Sequence, residues 1–171
     1  VELAKRAEKV VSIELDKRLL PVLHETLGNH PNAKVVNDDV LKVDLQRLLQ
    51  EEFAGMDVVV CANLPYYITS PVIMRLLEER LPIRALTVMV QKEAAQRLCA
   101  PPGTRACGAV SVAVQYYAEP RVLFQVSRGS LLPPPNVDST VIRLDVREQP
   151  PIYVTDERRF FALVKAAFGQ R

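Results

Sequence analysis

A four-residue segment, Asn63-Leu64-Pro65-Tyr66, has the side chains best suited to holding a flat, polar ligand. The amide oxygen of Asn63 and the backbone carbonyl of Leu64 can both accept hydrogen bonds from one amino group. Pro65 lacks a backbone N–H and has a fixed φ, so it would keep the turn rigid. Tyr66 offers a ring on which a nucleobase can stack, at about 1–3 kcal/mol per base. The structural alternative is a strand-to-helix turn with Tyr66 packed inside the protein.

The chemistry that this tetrapeptide would support is attack by an adenine amino group. The exocyclic nitrogen of adenine is a poor nucleophile because its lone pair is delocalised into the ring. Two acceptors bound to its hydrogens would favour a pyramidal nitrogen and aim the lone pair at an electrophile, for which a methyl sulfonium is the obvious candidate. Catalysis would then come mainly from orientation and fixed dipoles, without a strong base.

Two carboxylates upstream suit the adenosine that a methyl sulfonium cofactor would bring. Glu14 follows a short apolar segment, and its carboxylate can accept two hydrogen bonds from the vicinal hydroxyls of a ribose. Asp39 follows the next apolar segment and can accept a hydrogen bond from the amine of adenine. The alternatives are that Glu14 is a charge at a helix entry and that Asp38 or Asp39 is a turn residue. Three polar strand ends in succession, with Asn63 as the third, favour a ligand site.

The elements that position these residues alternate along the chain between apolar runs and segments with helical periodicity. Strands are predicted at 10–13, 33–36, 56–61, 85–90, 121–126 and 140–146, and helices at 17–27, 43–53, 71–80, 92–99 and 155–171, the last one capped by Thr155 or Asp156. This alternation indicates βαβ units and a mostly parallel sheet, with the last two strands as an antiparallel edge hairpin. Ligands bind such sheets at the carboxyl ends of the strands.

The bulk composition is that of an ordinary globular protein. The 171 residues are 49% apolar and 25% charged, which fits one domain with a sizeable core. No apolar run is long enough to span a bilayer, and the N-terminus does not have the pattern of a signal peptide. The three cysteines are odd in number and lack metal-ligand spacing, which favours a reducing, cytoplasmic compartment. The net charge of +2 leaves a nucleic-acid partner open.

Six segments in order resemble successive blocks of the rRNA adenine N6,N6-dimethyltransferase family of the KsgA type. They are "VVSIELDKRLLPVL", "NDDVLKVDL", "VVCANLPYYITSPVIMRLLE", "MVQKEAAQRLCAPPGT", "SVAVQYYAEP" and "LLPPPNVDSTVIRL". The similarity runs almost end to end, and the order of the blocks makes it specific. It implies an α/β, Rossmann-like class I methyltransferase fold.

The resemblance also implies a role for each candidate residue. Glu14 would bind the ribose of S-adenosyl-L-methionine and Asp39 the amine of its adenine. Asn63, with the Leu64 carbonyl, would hold the target N6 and also contribute to the cofactor site, while Tyr66 would stack on the flipped base. The implied substrate is a pair of adjacent adenosines near the 3′ end of small-subunit (16S) rRNA in an immature 30S particle. The enzyme is expected to be a monomer that uses neither a metal nor a membrane.

The chain also departs from the family pattern. The family's glycine-rich cofactor loop would precede Val1, and its C-terminal helical domain would follow residue 171, so the sequence predicts a partial methyltransferase domain that binds cofactor poorly. Leu131 stands where the family usually carries an aromatic residue against the target base. Whether Phe124 replaces that aromatic residue is left open by the sequence.

Two other functions compete with the small-subunit enzyme. One is the related 23S rRNA adenine methyltransferase of the macrolide-resistance type, and the other is a non-catalytic RNA-binding assembly factor on the same fold. Leu64 and the "PPPNVDS" segment favour the small-subunit enzyme. Tyr116 and Tyr117 are expected to fill the core, and no ligand role is assigned to His24 or His30.

Overall fold

The computed structural model describes residues 1–169 of the 171-residue chain. The chain forms two compact units, Val1–Met56 and Asp57–Arg171. Both units combine strands with helices, as the sequence predicts for an α/β fold. Within residues 1–169, no helix is long and apolar enough to cross a membrane.

The first unit is built on two parallel strands, β1 (Val10–Ile13) and β2 (Ala33–Val36), whose bounds agree with the prediction. The single helix predicted between them divides into a 3-10 turn, Lys17–Leu19, and helix α1, Leu20–Leu27. Pro21 lies in the first turn of α1, where its missing N–H costs no helical hydrogen bond. The proline therefore marks where the regular helix can begin.

Helix α2 (Leu45–Phe53) starts two residues later than the predicted position 43. The reason is a cap, since the Asp44 carboxylate accepts a hydrogen bond from the Arg47 N–H at 2.9 Å. Near its other end, Glu52 forms ion pairs with Lys34 at 2.5 Å and Lys9 at 2.7 Å. Hydrogen bonds from these two ammonium groups lower the pKa of Glu52, so the carboxylate ties α2 to β2.

The second unit contains the remaining regular elements. In chain order they are β3 (Val58–Asn63), α3 (Thr69–Glu78), β4 (Ile83–Gln91), α4 (Lys92–Leu98), α5 (Ala109–Tyr117), β5 (Ala118–Val126), β6 (Ser139–Val146) and α6 (Glu157–Gly169). Seven of the eight appear in the prediction, with boundaries that agree or shift by at most three residues, whereas no element was predicted at the position of α5. The largest shift is at β5, which begins three residues before the predicted position 121. Its third residue, Pro120, is tolerated because β5 is the edge strand.

The four strands of the second unit form one sheet in the order β3-β4-β6-β5. β3 and β4 are parallel, whereas β6 runs antiparallel to both β4 and β5. The antiparallel edge hairpin is therefore confirmed, with its second strand inserted between β4 and its first strand. The six described strands form two sheets, one in each unit, where the sequence predicted one sheet.

The core of the second unit lies along β4 and β6. Leu86, Val88 and Val90 on β4 have no accessible surface, and neither do Ile142 and Leu144 on β6. β4 is buried along most of its length, and β3 and β6 pair with its two edges. These two strands therefore form a rigid platform whose ends carry the segments described below.

Helix α6 packs on α5 through aromatic rings. Tyr116 and Tyr117 are buried, as predicted, and Phe161 meets Tyr116 edge-to-face at 5.2 Å and stacks on Tyr117 at 5.6 Å. Burial raises the pKa of Tyr117 to about 12. Since these rings are used in the core, they are not available as a stacking surface for RNA.

The start of α6 is fixed by Asp156, one of the two predicted caps. Its carboxylate accepts a hydrogen bond from the Arg159 N–H at 3.0 Å. Glu157, at the first helical position, accepts from the Tyr116 hydroxyl at 2.9 Å and pairs with Arg80. The predicted helix continues to residue 171, but positions 170 and 171 lie outside the described residues.

Candidate active site

Asn63 is the last residue of β3, which extends two residues beyond the predicted end at 61. The extension is possible because Asn63 stays in register with Met89 on β4. Its side chain is exposed and makes no hydrogen bond with any residue in the described range 1–169. The amide is therefore presented at the carboxyl end of a parallel strand with its full hydrogen-bonding capacity available.

Leu64 anchors the tetrapeptide to the sheet. Its side chain is buried, and its N–H donates to the Met89 carbonyl at 3.4 Å. Its own carbonyl oxygen accepts no hydrogen bond within the described part of the chain. Asn63 and Leu64 thus supply two neighbouring oxygen acceptors, one from a side chain and one from the backbone.

Pro65 turns the chain from β3 into a 3-10 turn, Tyr66–Ile68, that leads directly into α3. The Pro65 carbonyl accepts from the Ile68 N–H at 3.1 Å and from the hydroxyl of buried Thr69 at 3.3 Å. This bonding draws Thr69 into the helix, so α3 begins two residues before the predicted start at Pro71. The turn is consequently braced on its helical side as well as by the proline ring.

Tyr66 is half-buried, and its hydroxyl lies 2.9 Å from the hydroxyl of Ser139, the first residue of β6. Ser139 is completely buried. The next residue, Tyr67, is 83% exposed and has no such anchor. The Tyr66 side chain is thus held at its hydroxyl, and the residue is only half-buried, whereas the structural alternative places it inside the protein.

Glu14 directly follows β1 in the first unit. Its N–H donates to the Val36 carbonyl at 2.9 Å, and one carboxylate oxygen accepts from the Asp16 N–H at 2.7 Å. The side-chain amide of Asn37 donates to the Glu14 carbonyl at 2.7 Å. The second carboxylate oxygen of Glu14 accepts no hydrogen bond from residues 1–169, so it remains available to a ligand.

Asp39 lies three residues beyond the end of β2 and takes part in a turn. One carboxylate oxygen accepts from the Leu41 N–H at 2.9 Å, and the other lies 3.7 Å from the Lys42 ammonium. The Asp38 carboxylate accepts from the Asp39 N–H at 2.7 Å. Asp39 therefore serves the turn, as the structural alternative expects, and each of its oxygens keeps a second lone pair.

A pocket of about 580 Å³ opens at the junction of β4, α4 and β6. It is lined by Gln91, Lys92, Glu93, Gln96, Arg128, Asn136, Val137 and Asp138. Backbone N–H groups of Lys92 and Arg128 bond to Asp138, at 3.0 Å to its carbonyl and 2.9 Å to its carboxylate. Glu93 pairs with Arg97 at 2.7 Å, whereas Lys92 and Arg128 have no ion-pair partner among residues 1–169.

The sequence analysis did not identify Ser139 or this pocket. Both depend on the antiparallel insertion of β6 beside β4, which places Ser139 opposite Gln91. The available signal was Ser139 itself, the polar residue that ends the "PPPNVDS" segment directly before the predicted strand 140–146. Phe124 is 57% exposed on β5 and Leu131 is half-buried, so neither position by itself identifies an aromatic lid.

Two solved structures of RNA-modifying enzymes share this fold. A dimethyladenosine transferase from Plasmodium falciparum matches 99% of this chain and 58% of its own, with a TM-score of 0.82 and 27% identity. The 23S rRNA methyltransferase ErmE matches 98% of this chain and 64% of its own, with a TM-score of 0.77 and 30% identity. These similarities confirm the class I methyltransferase fold predicted from the sequence.

Curated relatives are closer in sequence. The ribosomal RNA small subunit methyltransferase A of Alkaliphilus oremlandii is 53% identical over 169 residues, and that of a Geobacillus species is 54% identical over 171 residues. Each alignment covers 99% of this chain and 59% of the relative. The family model described as ribosomal RNA adenine dimethylase matches residues 1–171. The chain therefore belongs to the ribosomal RNA adenine dimethylase family.

Proposed function

We propose that this chain is the methyltransferase domain of an enzyme that dimethylates N6 of two adjacent adenosines near the 3′ end of small-subunit rRNA. Its family is S-adenosylmethionine-dependent, and relatives with 53–54% identity are named ribosomal RNA small subunit methyltransferase A. Because the chain spans about 59% of those relatives, we assign the activity to the full-length protein. We place the reaction in the cytoplasm, on the immature 30S particle.

The observation that carries the proposal is the pair of free acceptors at the end of β3. The Asn63 amide oxygen and the Leu64 carbonyl oxygen are neighbours, and neither is used within residues 1–169. An adenine amino group has two hydrogens, which these two oxygens would accept. The fixed turn at Pro65 would then direct the nitrogen lone pair, and orientation would supply most of the catalysis.

The Tyr66 ring supports a purine substrate. A flipped base leaves its stack at a cost of a few kcal/mol, and an aromatic face recovers part of that cost. Tyr66 is half-buried and lies two residues after the second acceptor, Leu64. We therefore assign Tyr66 the stacking role and Asn63, Leu64 and Pro65 the orienting role.

The ends of β1 and β2 suit the adenosine portion of S-adenosylmethionine. The free carboxylate oxygen of Glu14 fits a ribose hydroxyl, and the spare lone pairs of Asp39 fit an adenine amine. When bound, the cofactor supplies an electrophilic methyl group on a sulfonium sulfur. We also assign Asn63 to the cofactor site, as the resemblance to the family implies.

The pocket beside α4 supports an RNA partner. Lys92 and Arg128 present two cationic groups without ion-pair partners among residues 1–169, in a space large enough for a nucleotide. Phosphate contacts from such cations provide affinity and position, while base contacts provide specificity. RNA next to the target adenosine would therefore pass through this pocket.

The test is substitution of Asn63 by Ala in the full-length protein. Unmethylated small subunits and tritiated S-adenosylmethionine are incubated with each variant, and incorporation into rRNA is measured. We expect Asn63→Ala to lower the rate by about 10²–10³-fold, the range found when one polarising group of an active site is removed. Asn29→Ala is the matched control, since Asn29 is another exposed asparagine.

Each competing function predicts a different result in this assay. A normal rate for Asn63→Ala would show that the assigned role is wrong. Methylation of large subunits alone would favour the 23S rRNA enzyme. Binding of small subunits by the wild-type protein, without any incorporation or cofactor binding, would favour the assembly factor.

A further inference from the structure

Tyr66 and Ser139 are separated by 73 residues, yet their hydroxyl groups form a hydrogen bond at 2.9 Å. Ser139 is completely buried and has no access to solvent. A buried hydroxyl needs a hydrogen-bonding partner, and either hydroxyl of this pair can donate. Among residues 1–169, it is the only hydrogen bond between a side chain of the tetrapeptide and β6.

The backbone holds Ser139 in place from both sides. It lies opposite Gln91 on β4 and opposite Val126 on β5, so ladders fix it in two directions. The preceding residue, Asp138, accepts the Lys92 N–H on its carbonyl at 3.0 Å. The Ser139 hydroxyl is consequently an immobile anchor and not an adaptable surface group.

The Tyr66 side chain is thus restrained at both ends. Its backbone follows the Pro65 turn, whose carbonyl is held by Ile68 and Thr69, and its hydroxyl is held by Ser139. Tyr67 shows the contrast, since it lies in the same 3-10 turn with an 83% exposed side chain. A ring fixed in this way offers a stacking face in one orientation before any base arrives.

We infer that Ser139 is a positioning residue for methyl transfer, which acts by fixing the Tyr66 ring against which the target adenine stacks. The inference rests on the proposed function and extends it to a residue of β6. Ser139 does not touch substrate; it acts through the Tyr66 hydroxyl. Loss of the bond lets the ring turn away, so the bound adenine spends less time with its amino group aligned to the acceptors.

The test uses the full-length protein with unmethylated small subunits and compares Ser139→Ala, Tyr66→Phe and the double variant. We expect each single variant to lower kcat about tenfold, because misorientation of a bound group slows reaction. KM for the subunit should change by less than about twofold, because phosphate contacts dominate RNA affinity. The double variant should be no slower than the slower single variant, since both remove the same bond.

Thr140→Ala is the matched control, because Thr140 is a second buried hydroxyl residue on β6 and points to the opposite face of the strand. It should keep the wild-type kcat. A wild-type kcat for Ser139→Ala, additive losses in the double variant, or an equal loss for Thr140→Ala would each overturn the inference. Should Ser139→Ala fail to fold, Tyr66→Phe decides alone, by lowering kcat or leaving it unchanged.

The wild-type rate separates this inference from the proposed function. An inactive wild-type protein on both ribosomal subunits contradicts the function itself. An active wild-type protein with a fully active Ser139→Ala variant contradicts only the positioning role. A pattern in which Asn63→Ala is slow and Ser139→Ala is normal has the same meaning.

Discussion

Glu14 and Asn63 differ in how much of their hydrogen-bonding capacity the fold already uses. One oxygen of Glu14 is engaged by the Asp16 N–H, while the Asn63 side chain is bonded to nothing in residues 1–169. Arg18 hydrogen bonds to Asp16 and lowers the pKa of that carboxyl to about 2. Asp16 is therefore ionised at neutral pH and remains paired with Arg18.

Because only one carboxylate oxygen of Glu14 is hydrogen-bonded within residues 1–169, the Glu14→Gln substitution gives a testable prediction. Glutamine keeps an oxygen for the Asp16 N–H but replaces the free carboxylate oxygen by an N–H donor. We expect full-length Glu14→Gln to bind S-adenosylmethionine at least about tenfold more weakly, because hydrogen bonds to a charged group contribute roughly 1.5–3 kcal/mol. Isothermal titration calorimetry measures this, with Glu25→Gln on α1 as the control. Unchanged affinity would remove Glu14 from the proposed cofactor site.

The residues of the tetrapeptide could be read from the sequence, but the anchor of Tyr66 could not. Asn, Pro and Tyr signal their chemistry through side-chain type and local spacing. The bond to Ser139 depends on a contact across 73 residues, which no local pattern encodes. For the same reason, only the structure shows that the Asn63 side chain makes no hydrogen bond with residues 1–169.

At the scale of elements, strand ends decide what the site presents. Apolar runs predicted every strand, yet β3 ends two residues later than its apolar run because Ala62 and Asn63 still pair with β4. At β5 the predicted start at 121 was three residues late, because the edge strand also accommodates Pro120. Pairing partners, which lie far away in sequence, set both boundaries.

The pocket between α4 and the start of β6 gives a prediction about salt. Each phosphate contact with single-stranded RNA contributes about −0.7 to the slope of log K against log salt concentration. We expect Lys92→Gln/Arg128→Gln in the full-length protein to make that slope about 1.4 less steep. Fluorescence anisotropy with a labelled RNA hairpin, measured at several KCl concentrations, determines the slope.

The control for this salt experiment removes two cations that already have partners. Lys5 pairs with Glu2 at 2.6 Å and Arg47 with Glu51 at 2.7 Å, both on exposed surfaces. Lys5→Gln/Arg47→Gln should leave the slope unchanged despite the same loss of charge. An equal change in both double variants would mean that net charge, and not the pocket, governs RNA binding.

For the molecule as a whole, the core is unevenly divided between the two units. In the first unit, Ala4 and Leu45 are the buried apolar residues among the described residues, whereas β4 and β6 hold many buried apolar residues in the second. The net charge of +2 is modest and favours neither unit as an RNA surface by itself. Composition predicted a sizeable core correctly but could not show which half would hold it.

This uneven core predicts uneven protection of backbone amides. Local opening is easiest where few apolar contacts hold an element in place. In the 171-residue chain without ligand, we expect amides of β4 and β6 to exchange at least about tenfold more slowly than those of β1 and β2. Hydrogen–deuterium exchange with mass spectrometry measures the rates, and equal protection of both pairs would contradict the prediction.

The insertion of β6 between β4 and β5 also affects how the chain is made. A protein is synthesised from its N-terminus, so β3 is already present when β4 emerges from the ribosome. The strand that pairs with the other edge of β4 is β6, which begins only at Ser139. At about 5–20 residues per second, that edge stays bare for roughly 2–10 s. A bare apolar strand edge is a template for pairing with foreign chains. A nascent chain that stalls in this interval therefore exposes a strand edge that favours aggregation.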